Sequence, residues 1–557
     1  MMPQKLVDKY AKVFNEQNGI GACDIDSFES DKLVKYEYQK RPFDLPLGVV
    51  VGSKRSKEGR LEIYETQIQH TLLSSATGRG KSQGFILNNI FSITPKTGAS
   101  YIIADAKGEL TVASYKSCVE KYGKDSVHVL NMNDVNHTTL FVNPLEKMAR
   151  DYLEAQQLDE RERKKREDYV FSKVQAFVAS LFEIRSTNDT SWDIGAQDVL
   201  QAIIAGLIED TAGDYSSFRC GGLRKKLKPE QVTLERVNYV FCQFDWRDNE
   251  RIFSGDKGFF VSRPDSSFAK QRAKTVFGAA SAGTKTSYLS LISSYLAPYS
   301  NPKVCKILSK NNFDIVKLTQ NKPSVIFIVY DSTDMVMNKL LSNILSWSID
   351  ALKLEYSKTS LPLKNPVVFL CDEFSSLPPS DCFPSVCSIG RGMNIYLIMV
   401  VQSICQLSPY KDKTDVLTEN SGIKIFLGDN NYSSAKASSI ELGMSDQLSK
   451  SGLMNGQISF IEKPNVDAEK LLHNMKPGET FVKIAGMKPL RSQFCFHYQT
   501  DEYYNNPRME LCSITAPQFD EDEEDDEAKE IERARELLER RRLEIMRQMM
   551  ESDEDEN

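Results

Sequence analysis

The stretch His70-Thr71-Leu72-Leu73-Ser74-Ser75-Ala76-Thr77-Gly78-Arg79-Gly80-Lys81-Ser82 decides how the rest of the chain is read. A short apolar run of strand length leads into a tight loop with two glycines, and a helix is expected over 83–91. Gly78 and Gly80 let the backbone turn so that successive N–H groups converge on an anion. Lys81 adds a mobile positive charge for β- and γ-phosphates, and Ser82 can place its hydroxyl on Mg²⁺. Thr77, Gly78, Arg79, Gly80, Lys81 and Ser82 are therefore the expected nucleotide-binding residues. The match has one departure. Ser75 stands where the pattern G-x-x-x-x-G-K-[ST] begins with glycine, and a serine fits there if its φ is negative.

Outward from this loop the chain alternates. Before it, 47–52 and 60–65 are β-rich and flank a Gly/Lys-rich turn, which reads as a small antiparallel hairpin. After it come a helix, a turn at 94–98, the strand 100–104 ending in Asp105-Ala106-Lys107-Gly108-Glu109, another helix and the strand 127–130. Such β-α-β-α-β order indicates a mostly parallel central sheet with crossover helices, an α/β fold. From 145 to about 210 the alternation gives way to helix. The stripe Trp192, Ala196, Val199, Leu200, Ile203, Leu207 has helical spacing and reads as helix core, and 268–297 is helical again. Residues 145–300 are thus expected to be an inserted all-α domain. Within it the basic cluster at 219–228 reads either as solvated surface or as a contact for nucleic acid.

The sheet resumes at 324–330 (Ser-Val-Ile-Phe-Ile-Val-Tyr), and a helix follows over 337–356. Next is the apolar strand Pro366-Val-Val-Phe-Leu-Cys-Asp372-Glu373. A buried strand ending in two acids, downstream of a phosphate loop, supplies what phosphoanhydride hydrolysis needs. Asp372 is placed for the Mg²⁺ shell and Glu373 for polarising the attacking water. The strand 394–401 ends in Gln402-Ser403. Gln402 is read either as a sensor of the γ-phosphate or as a polar strand cap. A last core strand, 423–427, exits through Gly428-Asp429-Asn430-Asn431.

Length and composition bound the rest. The 557 residues, 41% hydrophobic and 26% charged, describe an ordinary globular chain of several domains. Its net charge of −7 neither requires nor excludes nucleic acid, because acidic residues are concentrated between Phe519 and Asn557. Eleven cysteines without a C-x-x-C pair make a zinc site improbable and fit a reducing cytosol. No apolar run approaches the ~20 residues that span a bilayer, so the chain is expected to be cytoplasmic. The expected organisation is an N-terminal arm (1–45), a first nucleotide-binding part (46–144), the all-α insertion (145–300), a second nucleotide-binding part (301–515) and an acidic, helical tail (516–557). In the tail Ile531, Leu538 and Ile545 recur seven residues apart.

Residues 75–109, 366–402 and 420–443 resemble the coupling-protein ATPases of type IV secretion, the VirD4/TraG group within the FtsK/HerA-like ring-forming pumps. Similarity is most specific at 76–84, 105–110, 372–374 and 402–403. It implies a RecA-like P-loop domain with an inserted all-α domain, assembled as a homo-hexamer. It also implies ATP and Mg²⁺ as cofactors, and delivery of relaxase-bound DNA or effector proteins to a conjugation channel. By the same similarity, Lys81 and Ser82 are phosphate and Mg²⁺ groups and Asp372 and Glu373 the hydrolytic acids. Arg391 stands where this family presents an arginine to a neighbouring subunit's nucleotide; its other reading is a structural arginine capping the turn at 390–392. The N-terminal transmembrane helices usual in the family are missing. Attachment to the inner face of the cell membrane is therefore expected to need a partner. A soluble DNA-translocating or packaging ATPase, and a nucleotide-switched docking module, are the other readings of the same residues.

Overall fold

The computed structural model describes residues 22–25, 32–38, 40–43, 45–181, 191–213, 226–243, 253, 259–261, 263–448, 460–499 and 508–517. Most of the basic cluster at 219–228, the acidic tail and the first 21 residues lie outside them. Two compact units emerge, one within 22–133, 137–139 and 314–515 and the other within 134–136 and 140–313.

The first unit is built on a ten-stranded sheet. Its strands are β1 (Cys23–Asp24), β5 (Thr71–Ser74), β6 (Ser100–Asp105), β7 (Val127–Asn131), β8 (Val325–Val329), β9 (Val367–Cys371), β10 (Ile395–Val401), β11 (Ile423–Phe426), β14 (Glu479–Ile484) and β15 (Leu490–Gln493). Their order is β1-β15-β14-β11-β5-β10-β9-β6-β8-β7. From β11 to β7 all pairings are parallel; β14 runs antiparallel to β11 and to β15. Every residue of β5, β6, β8, β9 and β10 is buried, as strands covered on both faces must be. That double burial is why these segments read in the sequence as unbroken apolar runs.

The chain fills one side of β5 with β6 to β10 and then crosses to its other side with β11. β5 therefore marks the switch point, and the crevice at its carboxyl end is where open α/β sheets place ligands.

A three-stranded antiparallel sheet, β2 (Leu33–Glu37), β4 (Leu61–Gln67) and β3 (Gly48–Arg55), accompanies it. The expected hairpin is β3–β4. The described part of the expected N-terminal arm departs from that reading, because it supplies β2 and the edge strand β1. A register shift between Val50 and Gly52 leaves Val51 without a partner on β4, next to Val50, whose N–H and C=O bond outside the ladder. Asn89, on the helix after the phosphate loop, takes both groups: Val50 N–H donates to its Oδ1 (2.8 Å), and its Nδ2 donates to Val50 O (3.1 Å). A hairpin of β12 (Met444–Leu448) and β13 (Phe460–Pro464) completes the strands.

His70, immediately before β5, accepts the N–H of Leu397 on Nδ1 at 3.1 Å and is 3% exposed. Burial, helped by the charge of Arg391, pushes its pKa from 6.5 down to about 4. The unfolded imidazole therefore takes up a proton before the folded one does. The stability this residue contributes is complete above pH 6.5 and is lost as pH falls toward 4, about 2 kcal/mol of it between pH 7 and pH 5. Urea unfolding at the two pH values is expected to show that loss, and His70→Gln is expected to lose correspondingly less. Equal losses in both proteins would refute the assignment.

In the second unit the helices Pro144–Ala155, Glu160–Leu181, Ser191–Glu209, Leu234–Gln243, Phe268–Ala279 and Ala282–Leu296 form a helical core. Of the sequence stripe, Ala196, Val199, Leu200, Ile203 and Leu207 are buried, whereas Trp192 is 39% exposed. The side chain of Arg263 is fully enclosed and pairs with Glu209 at 3.1 Å and Asp210 at 2.8 Å.

Candidate nucleotide site

The loop at the end of β5 holds its shape through backbone contacts to the strands on either side. Ser75 N–H donates to Val401 O and Ala76 N–H to Gly428 O, both at 3.0 Å. Gly78 and Gly80 have φ of 81° and 89°, the left-handed region the loop requires. Ser75 is not among the residues of positive φ and is fully buried, so the serine meets the condition for replacing the first glycine. The helix that follows starts earlier than the sequence indicated, at Lys81. Its first six residues, Lys81–Ile86, form a π-helical turn that continues into the α-helix Leu87–Ser92. Widened turns of this kind concentrate at functional sites.

Five of the expected site residues converge. Lys81 Nζ donates to Glu373 Oε1 at 2.5 Å and lies 3.7 Å from Asp372 Oδ1. Gln402 Nε2 donates to Glu373 Oε2 at 3.1 Å, and Thr77 Oγ1 donates to Gln402 Oε1 at 3.2 Å. A chain of contacts thus runs from the loop hydroxyl through the amide and the carboxylate to the ammonium. Glu373 has a left-handed backbone (φ 56°, ψ 47°), which is uncommon away from glycine and frequent at functional sites. This turn, closed by Ser376 N–H on Glu373 O at 2.8 Å, swings the carboxylate out of the β9 direction toward the loop.

The two acids differ in electrostatics. Burial pushes the Asp372 carboxyl up to about 6, against the opposing charge of Lys81. Among the described residues its buried Oδ1 finds no hydrogen-bond partner. Burial also acts against ionised Glu373, but the hydrogen bond and charge of Lys81 outweigh it and hold that carboxyl below its ordinary value. An orphaned buried carboxylate oxygen beside the loop suits the outer shell of a hydrated Mg²⁺, with the Ser82 hydroxyl at the start of the helix. Among the described residues no group of three His, Cys, Asp or Glu side chains could hold a metal ion.

Asp105, at the end of β6, accepts from Gly108 N–H (2.9 Å) and from the N–H and hydroxyl of Thr111 (2.8 and 2.7 Å). It caps the helix Glu109–Tyr122 instead of facing the loop. Arg79 reaches sideways to Leu472 O at 3.2 Å. Beside Thr77 and Gln402 opens a cleft of about 330 Å³, lined also by Ser403, Cys405, Asn430 and Asn431.

Arg391 is not gathered with the others. It is exposed in the turn Gly390–Met393 before β10, whereas Gln402 follows β10. The seven residues of that strand separate the two by roughly 20 Å.

Residues 24–521 match the family described as type IV secretory system conjugative DNA transfer. The chain belongs to this family. No curated protein sequence matches it. Among solved structures, this type IV coupling protein is similar to plasmid coupling protein TrwB in complex with a non-hydrolysable GTP analogue. That match has 13% identity and a TM-score of 0.53, and covers 79% of this chain and 88% of that one. TrwB with a non-hydrolysable ATP analogue matches at 14% identity and a TM-score of 0.52, covering 83% and 97%. A trigonal bacterial TrwB form with sulphate gives 13%, 0.52 and the same coverage. At such identities the likeness establishes the fold, a RecA-like P-loop architecture with a mostly parallel sheet. No helix among the described residues is long and apolar enough to cross a membrane.

Proposed function

We propose that this coupling protein hydrolyses ATP to recruit DNA carried by a relaxase, or protein substrates, and help move them into a conjugation channel. The observation that carries this reading is the meeting of Lys81, Asp372, Glu373 and Gln402 at the carboxyl ends of adjacent strands. TrwB structures hold nucleotide analogues, and one holds ADP and Mg²⁺; the same ligands suit the groups here. Mg²⁺, when bound, neutralises developing charge on the phosphates. Ser82 and Asp372 would hold it. The loop N–H groups and Lys81 would bind the β- and γ-phosphates, and Lys81 would leave Glu373 as the phosphates take its charge. Glu373, freed, would accept a proton from water, and Gln402 would orient that water or the γ-phosphate.

Arg391, exposed at the far end of β10 from its own chain's Gln402, would act on a neighbouring copy within a homo-hexamer, on the cytoplasmic side of the membrane. The test is hydrolysis by the purified chain, with and without single-stranded DNA. It is repeated on a mixture of two inactive proteins, Arg391→Ala and Lys81→Ala. The expected result is DNA-stimulated turnover, and partial recovery in the mixture that rises with protein concentration. Absence of turnover in the parent would make the protein a nucleotide-switched docking module. Parent-rate hydrolysis by Arg391→Ala would remove the cross-subunit role.

A further inference from the structure

The segment after β15 lies along the helix that follows the phosphate loop. Phe494 packs edge-on against Phe85 (5.9 Å), Cys495 O accepts from Asn88 Nδ2 (3.1 Å), and His497 stacks on Phe91 (5.3 Å). Between these anchors Phe496 is pressed against the loop itself. A Cβ added to Gly80 would sit 2.3 Å from its ring, and one on Gly84 3.4 Å from it. Tyr498 then stacks on Phe496, with centroids 5.6 Å apart and planes 27° from parallel, and is 58% exposed. A large ring is thus fixed from behind by a buried one, beside the loop, and left largely open to solvent.

We propose that Tyr498, backed by Phe496, is the platform on which the purine base of the bound nucleotide stacks. The proposal rests on the phosphate-loop reading above. A nucleotide whose γ-phosphate meets Lys81, Glu373 and Gln402 leaves the loop at its other end, past Gly80 and the first helical turn. That is the side where Phe496 and Tyr498 lie, whereas the cleft beside Thr77 and Gln402 is at the hydrolytic end. Stacking on a ring already held in place loses little freedom on binding, and it accepts any base because every base has a π-face.

Titration calorimetry of the full chain with ATP, GTP and inorganic tripolyphosphate tests this. Tyr498→Ala is expected to weaken ATP and GTP alike by roughly tenfold and to leave tripolyphosphate unchanged. Tyr498→Phe is expected to bind all three like the parent. Unchanged ATP affinity in Tyr498→Ala, or an equal loss for tripolyphosphate, overturns the platform while leaving the loop intact. A parent protein that binds neither ATP nor tripolyphosphate overturns the phosphate-loop reading itself, and the platform with it.

Discussion

Lys81→Ala is expected to lower ATP hydrolysis by at least about 100-fold and to remove most nucleotide binding. The lysine is one of the few groups whose charge can follow the β- and γ-phosphates, and losing one such donor costs at least that factor. It also forms ion pairs with both Asp372 and Glu373. Without it two neighbouring carboxylates would face a polyanion with one cationic partner fewer. Two measurements check the point: steady-state phosphate release, and the rise in melting temperature on adding ATP. Both effects should vanish together. Parent-like turnover would place the site elsewhere.

The second large effect separates chemistry from binding. Glu373→Gln is expected to bind ATP within a few-fold of the parent while hydrolysing it about 10²–10⁴ times more slowly, the range for losing a positioned base. Glutamine keeps the length of the side chain and bears the same left-handed backbone that glutamate bears (φ 56°), so the turn after β9 is preserved. It loses the negative charge that pairs with Lys81 and, with it, the capacity to take a proton. Fluorescent-nucleotide binding alongside single-turnover hydrolysis distinguishes the two quantities. Joint loss of binding and hydrolysis would assign Glu373 to holding the nucleotide.

The site was legible from the sequence to the extent that its residues end buried strands. Lys81 and Glu373 lie 292 positions apart yet touch, because each stands at the carboxyl end of an apolar run and such ends gather at one edge of a parallel sheet. The same double burial exposed β8, β9 and β10 to a reading by composition alone. β15 escaped it because it alternates buried with exposed positions, β2 because only one of its five residues is buried, and β1 because it has two residues. Residue spacing marked Trp192 as core, but the end of a helix is where a periodic stripe meets solvent. The aromatic platform was missed for a different reason. The alternation Phe494, Phe496, Tyr498 is visible in the sequence, but its meaning depends on which helix the segment crosses. That contact spans about three-quarters of the chain.

The pair of hydrogen bonds between Asn89 and the backbone of Val50, beside the bulge, has a mechanical consequence. Turning the phosphate-loop helix against the small sheet would break both bonds in a buried setting, and each stranded polar group costs about 1–3 kcal/mol. Helix and small sheet are therefore coupled, and Ser492 Oγ on Val51 O (2.9 Å) and Cys495 N–H on Ser53 O (3.0 Å) tie that sheet to β15 and the segment after it as well. The phosphate-loop helix is thus braced from two sides, by the small sheet through Asn89 and by the segment after β15 through Asn88.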